Sequence, residues 1–396
     1  MNSTETEPLA YPFNEEKGLG IDEAYALARE TPGLLKVRLP YGEPVWLVTR
    51  YADARTVFSD PRFSRAMVSE RDAPRLSAGR RYVGLLEMDP PEHSRLRALL
   101  TKAFTMRRIE AVRPRIARHA ATLIAEMKAA GPPVDLVENY ALSIPVIAVC
   151  EMLGVPLSDR PKFRVWSDAV LSTSRLTADE FRHNLEEIRA YIRTLLAEHR
   201  ADPRDDLMTA LIEARDVGDR LSELELVDMC SSVLVAGHET TAGQIANFVH
   251  VLHEHPQQWR RLCADPDLAP DLVEELLRFI PFGSGAEFPR YAKEDVELGG
   301  TLVRAGEPVL AVISSANRDP DRFEDPATLC PERTNNHHVS FGHGPHHCIG
   351  APLARLELQE ALRALAREMP DLHIAGEVEW KTGTLHRGPE VLPVSW

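Results

Sequence analysis

From Ser222 to about His253 the sequence carries one helical pattern, and a chain holding such a helix must build its fold around it. Ser222 and Glu225 make a capping box at its start, and Pro256 stands just past its end. About 32 residues at ~1.5 Å rise span ~48 Å, enough to cross a whole domain. Its middle, "VLVAGHETTAGQIANF", is apolar apart from one polar cluster. Burying polar groups costs free energy unless they have partners, so that cluster points to a purpose.

Most of the remaining chain also has helical periodicity, with prolines at positions 114, 145, 161, 256 and 270 near the starts or bends of helical patterns. "LLKVRLPYGEPVWLVTR" reads as a hairpin about Pro40 to Pro44, and "VELGGTLVRAGEPVLAVIS" as short strands between glycine turns. There is no internal repeat and no Gly/Ser linker. The length of 396 residues allows two or three domains or one large helical one.

A formal charge of −14 argues against a nucleic-acid binder, whose affinity rests on neutralising phosphates. The five cysteines, Cys150, Cys230, Cys263, Cys330 and Cys348, are odd in number and scattered, which predicts reduced thiols and a cytoplasmic setting. The N-terminal residues lack the basic and apolar regions of a signal peptide. Nor is there an apolar run of 18 residues, so no membrane span is expected.

"FGHGPHHCIG", residues 341–350, crowds His343, His346, His347 and Cys348 together. A zinc site would want a second pair of ligands at a distance, and adjacent His347 and Cys348 cannot easily both reach one tetrahedral ion. A Cys–His nucleophilic pair normally meets from distant sequence. What the stretch does supply is a glycine-rich loop that brings the backbone close to a flat group, and one thiolate at the start of a helix, where negative charge is favoured. That suits a single axial bond to haem iron. A buried, inert cysteine remains the alternative on these residues alone.

At this point the sequence resembles the cytochrome P-450 haem-thiolate monooxygenases. Their F-G-x-G-x-H-x-C-x-G signature is met at Phe341, Gly342, Gly344, His346, Cys348 and Gly350. Other landmarks follow the same resemblance. "EELLR" carries Glu275 and Arg278, with Arg333 as the third member of a structural triad that locks the cysteine loop. "AGHETT" carries Ala236, Gly237, Glu239 and Thr240, and "MDPPEHSRLR" carries His93 and Arg97. One departure is the sequence Asn336-His337-His338, where many soluble bacterial members have Asn-Pro-His; a φ restraint is lost there.

The resemblance implies a mainly α fold with small β-sheets: a single-domain triangular prism over 1–396 with the long helix across the haem. Residues 1–20 are expected to be irregular, and 20–90 and 289–396 to contain the β regions. It implies haem b with Cys348 as axial iron ligand. His93, Arg97, Arg290 and His346 would clamp the propionates, and Ala236, Gly237, Phe341, Gly342 and Gly350 would line the cofactor. Ala236 and Gly237 would leave room for the macrocycle. The Thr240 hydroxyl, bonded to the Ala236 carbonyl, would distort the helix and order water and protons for O2 activation. Glu239 would relay protons, while His238 points away.

The implied activity is insertion of one atom of O2, as hydroxylation or epoxidation, into a bulky natural product. A macrolide or other polyketide of secondary metabolism is the expected substrate; a terpenoid, peptide or aromatic compound is the alternative. A non-catalytic haem sensor or electron carrier would not require Thr240 and its acidic neighbour. Electrons would come from NAD(P)H through a ferredoxin reductase and a ferredoxin docking on Lys102, Arg107, Arg108 and Arg113, the enzyme being a monomer. The pocket would be roofed by 67–87 and 171–177. Its wall would be Val235, Ala236, Thr240 and 283–288, with Gly285 giving room and Phe288 one bulky contact. Glu87 would face the cavity and pair with a protonated amino-sugar.

Overall fold

The structure, a computed structural model, describes all residues except 1–6, 16, 79–83, 160–161, 163–164, 167–168, 170–171, 174–175 and 217–220. Its central helix is Glu223–Glu254, capped by Ser222, whose hydroxyl accepts the Glu225 amide while the Glu225 carboxylate accepts the Ser222 amide. A capping box of this kind contributes ~1 kcal/mol and sets where the helix starts. It ends at His255, after which Pro256 opens a new helix, Pro256–Ala264, in which a missing amide costs nothing.

Around this rod pack Met106–Ala130, Ser143–Leu153, Ala269–Phe279 and Ala351–Glu368, and their apolar faces merge into one core with Ile116, Tyr140, Phe248, Leu276 and Leu362. Each fully buried side chain of this size contributes ~1.5–3 kcal/mol. A second apolar cluster joins the first half of the central helix to Glu92–Ala103, Ala178–Ala201 and Leu207–Asp216. Among the described residues no helix is long and apolar enough to cross a membrane.

The expected hairpin is Leu35–Arg38 against Val45–Val48, antiparallel with Leu35 opposite Leu47. It belongs to a six-stranded sheet in the order Leu9–Ala10, Leu35–Arg38, Val45–Val48, Pro308–Ala311, Arg290–Ala292, Phe63–Ser64. The second strand-rich segment gives Val296–Leu298 paired with Thr301–Val303, then Pro308–Ala311. Among the described residues two strands lie outside the expected β regions. Leu9–Ala10 pairs with Val37 and Arg38, so the first 20 residues are not wholly irregular. Val134–Asp135 pairs with Pro393–Ser395. Two-residue strands leave no readable alternation, and their partners are too distant in sequence to signal them.

Candidate active site

The cysteine loop is bent by two glycines in the left-handed region, Gly342 at φ +73° and Gly344 at φ +71°. At Gly344 a side chain would also meet the Phe58 carbonyl oxygen 2.5 Å from its Cβ. The Cys348 amide donates to the Phe341 carbonyl at 2.8 Å, and the helix Ala351–Glu368 starts three residues on. Cys348 itself is exposed, yet its sulfur lies deep enough that desolvation raises the thiol pKa. The Gly350 and Ala351 amides, Arg97 and Arg355 pull in the thiolate direction. Arg355 stands 4.5 Å over the Phe341 ring, bracing the loop.

The three histidines of this loop go to different places. His346 stacks on His93 with ring centroids 4.1 Å apart, His343 meets Arg55 at 3.2 Å, and His347 presents its carbonyl to Arg97. They form no shared ligand set.

Beneath the loop lies the triad. Glu275 and Arg278 have fully buried side chains and make two parallel bonds of 2.7 and 2.8 Å. Arg333 donates to the same carboxylate at 3.2 Å, and so do the Cys330 amide at 2.9 Å and Asn336 Nδ2 at 3.2 Å. The departure at 336–338 is therefore compensated: Asn336 joins Glu275, and buried His338 reaches Glu274 at 3.3 Å. Arg355 makes the other contacts of Glu274, whose carboxyl is held down to about 2 by burial-defying bonds to His338 and Arg355.

His93, Arg290 and His346 stand together, and each makes positive charge harder to place on the others. Burial and their neighbours lower Arg290 to about 9 and His346 to about 3, and lower His93 as well. His93 Nδ1 and Arg290 Nε are buried and have no hydrogen-bond partner among the described residues. Buried nitrogens without partners, beside a guanidinium and two imidazoles whose protonation is suppressed by burial and by their neighbours, fit a ligand carrying carboxylates, as haem does.

On the central helix Ala236 is exposed, and the Thr240 hydroxyl donates to its carbonyl at 2.9 Å, the pairing expected. The helix runs through this point without a break. At Gly237 a Cβ would lie 2.6 Å from Val149 Cγ2, so its smallness also admits the helix Ser143–Leu153. His238 turns away to the Leu142 carbonyl at 3.2 Å. Val235 is buried in the apolar cluster beside Val149.

Glu239 is buried and ion-paired to Lys381, which holds its carboxyl below the usual range despite desolvation. His386, lowered to about 4 chiefly by burial, adds to the group and lies flat on Phe282 at 4.5 Å. Lys381 and His386 carry no recognisable sequence pattern. The segment between them is nonetheless a junction: Thr173 donates to the Gly383 carbonyl at 2.7 Å and Ser284 to the Leu385 carbonyl at 2.9 Å. It joins Glu239, Ser284 of the expected wall and Thr173 of the expected roof.

The wall requires a correction. Gly285 has φ +87° and a Cβ there would collide with the Tyr11 hydroxyl, which donates to the Gly285 carbonyl at 2.7 Å. At Gly283 a Cβ would come 2.8 Å from the Glu287 carboxylate. At both glycines the missing side chain makes room for protein rather than for a ligand. Phe288 is exposed and carries an unusual φ of +59°. Glu87 is buried on the short turn Gly84–Glu87, with its charge felt by Arg65. Part of the 67–87 roof lies outside the described residues, as does part of 171–177. The basic run is also less free than its sequence suggested: Arg108 pairs with Asp205 at 2.7 Å, and Arg113 with Glu110 and Glu360 at 2.8 and 2.6 Å. Lys102 and Arg107 remain exposed.

The cytochrome P450 family model matches residues 157–368, more than half the chain. The chain is 49% identical to the mycinamicin IV hydroxylase/epoxidase of Micromonospora griseorubida over 99% of its own length and 100% of that protein. It is 46% identical to the nocardicin C N-oxygenase of Nocardia uniformis subsp. tsuyamanensis, again over 99% and 100%. The solved structure of the mixed-function P450 MycG superposes with a TM-score of 0.93 at 49% identity, covering 98% of this chain and 100% of that one.

Proposed function

This chain belongs to the cytochrome P450 family of haem-dependent monooxygenases, and on that premise we propose that it oxygenates a macrolide or other polyketide. When bound, haem b supplies the activation of O2 and the transfer of one oxygen atom. The observation that carries the reading is the set of buried nitrogens without partners, His93 Nδ1 and Arg290 Nε, grouped with His346 beside the cysteine loop. In this reading Cys348 is the iron ligand, His93, Arg97, Arg290 and His346 hold the carboxylates, and Phe341, Gly342, Gly350, Ala236 and Gly237 flank the macrocycle.

Thr240 holds a proton at its hydroxyl, oriented by the Ala236 carbonyl, and Glu239 with Lys381 supplies protons from the buried side. The ammonium at Lys381 keeps Glu239 charged, so the carboxylate accepts a proton arriving from solvent before passing it inward. The end-to-end identity to a macrolide hydroxylase/epoxidase supports the substrate class, and the exposed Phe288 ring supports a bulky apolar ligand. The nocardicin C N-oxygenase relative keeps oxygenation at a nitrogen atom as a second reading.

Electrons arrive from a redox partner, for which a ferredoxin with its reductase suits a cytoplasmic enzyme; exposed Lys102 and Arg107 are the contacts proposed for it. Strand pairing between Val134–Asp135 and Pro393–Ser395 supports reading 1–396 as one domain. A spin-state titration of the holoenzyme with mycinamicin IV, other polyketides, terpenoids and peptides tests the substrate class. Tight high-spin conversion by macrolides is expected; conversion only by peptides would overturn it.

A further inference from the structure

One side chain joins the roof of the proposed pocket to its wall. Arg65 follows the edge strand Phe63–Ser64, and its base is fixed by Asp89: the Arg65 amide donates to Oδ1 at 2.8 Å and the Ser64 hydroxyl to Oδ2 at 2.5 Å. From there the guanidinium divides. Nε donates to the Leu86 carbonyl at 2.9 Å, on the short turn Gly84–Glu87, and Nη1 donates to the Pro289 carbonyl, at the end of the wall. The guanidinium carbon also stands 5.5 Å from the centre of the Phe288 ring.

Both ends of this bridge need explaining. Arg65 is only 4% exposed, and a buried guanidinium is stable only when its donors and charge are matched. The carbonyls of Leu86 and Pro289 take up donors, and Glu87 and Asp89 supply charge. Phe288 holds a left-handed backbone that bulky residues avoid, a conformation that persists only where its surroundings impose it. The residue is 42% exposed, so little of the surrounding core packs on it. The adjoining backbone carbonyl, that of Pro289, is the group that Arg65 holds.

We infer that Arg65 is a specificity-determining positioning residue, whose guanidinium couples the Leu86 and Pro289 carbonyls and thereby fixes the Phe288 ring over the substrate side. The inference rests on the proposal that 283–288 lines the pocket. Lysine cannot replace Arg65, because a single ammonium cannot span two carbonyls in a fixed fork. Large ligands that touch roof and wall together depend on the bridge, whereas small ones do not.

The test uses the holoenzyme and two azoles followed by optical titration: ketoconazole, which fills the pocket, and imidazole, which does not. Arg65→Met and Arg65→Lys are each expected to weaken ketoconazole about tenfold and leave imidazole within about twofold. In a Phe288→Ala background the Arg65 change should add less than about twofold, because the two residues act as a unit. Lysine retaining wild-type ketoconazole binding, or Arg65 and Phe288 effects that simply add, overturns the inference. Equal weakening of both azoles, or loss of haem, would make Arg65 part of the carboxylate clamp instead and overturn it too. Phe288→Ala without effect on ketoconazole overturns the wall reading itself, and the inference with it.

Discussion

The cysteine side and the proposed substrate side of this molecule are held by different means. On the cysteine side, one buried carboxylate, Glu275, receives Arg278, Arg333, the Cys330 amide and Asn336, so the loop before Cys348 is fixed by many charge-assisted bonds to a single centre. On the substrate side, the wall is held by separate ties from far away in the chain: Tyr11 to Gly285, Arg65 to Pro289, and the 381–387 segment to Ser284. A common centre makes the cofactor geometry hard to change without losing the fold. Separate ties let the pocket be altered one contact at a time. Under the proposed function, fixed chemistry and adjustable recognition would thus be divided between two regions.

The largest effect should come from the common centre. Glu275→Gln leaves Arg278 buried with an unpaired charge, and a loss of ~3–5 kcal/mol is expected. Chemical denaturation and haem incorporation check it; a loss below ~1 kcal/mol would break the distinction between the two regions. Thr240→Ala should leave haem content and ligand titrations unchanged but lower product formed per electron by roughly tenfold or more. Peroxide release read alongside product checks this, and unchanged coupling would count against the role given to Thr240.

Lys381→Met removes the ammonium that keeps Glu239 charged, and desolvation then raises the carboxyl pKa. The pH profile of coupling should shift upward, with Lys381→Arg restoring it; a purely structural role for Lys381 would leave the profile in place. His386 provides a smaller, graded effect. Its folded pKa, about 4, lies below the ordinary value of 6.5, so the folded state resists a proton that the unfolded chain accepts. The stability contribution is therefore complete above pH ~6.5 and is lost as pH falls towards ~4, with Glu239 and Lys381 the charged groups facing the ring. His386→Phe should flatten the stability–pH curve in that window. Glu87→Gln should have the smallest effect: with Arg65 already beside it, the preference for a cationic over a neutral macrolide should shift by less than about threefold. A shift of tenfold or more would make Glu87 the amino-sugar partner.

The division also explains what the sequence disclosed. The central helix was legible because its cap, length and apolar run are local, and the Thr240–Ala236 bond because four residues make one helical turn. The cysteine loop and its triad were legible through short residue patterns. Lys381, His386 and Arg65 were not, since each has meaning only beside a partner more than twenty positions away. Gly285 was misread for the same reason. A glycine announces that something comes close, and only the structure shows that it is the Tyr11 hydroxyl.

The central claim is that Cys348 binds haem iron as a thiolate while His93, Arg290 and His346 hold the carboxylates. The most direct measurement is the carbon monoxide difference spectrum of the reduced protein, for the native chain and for Cys348→His. The account predicts a red protein whose Soret band with carbon monoxide is strongly red-shifted, and a variant that keeps haem but loses that shift. A native protein that takes up no haem, or a red shift that survives in Cys348→His, would contradict it.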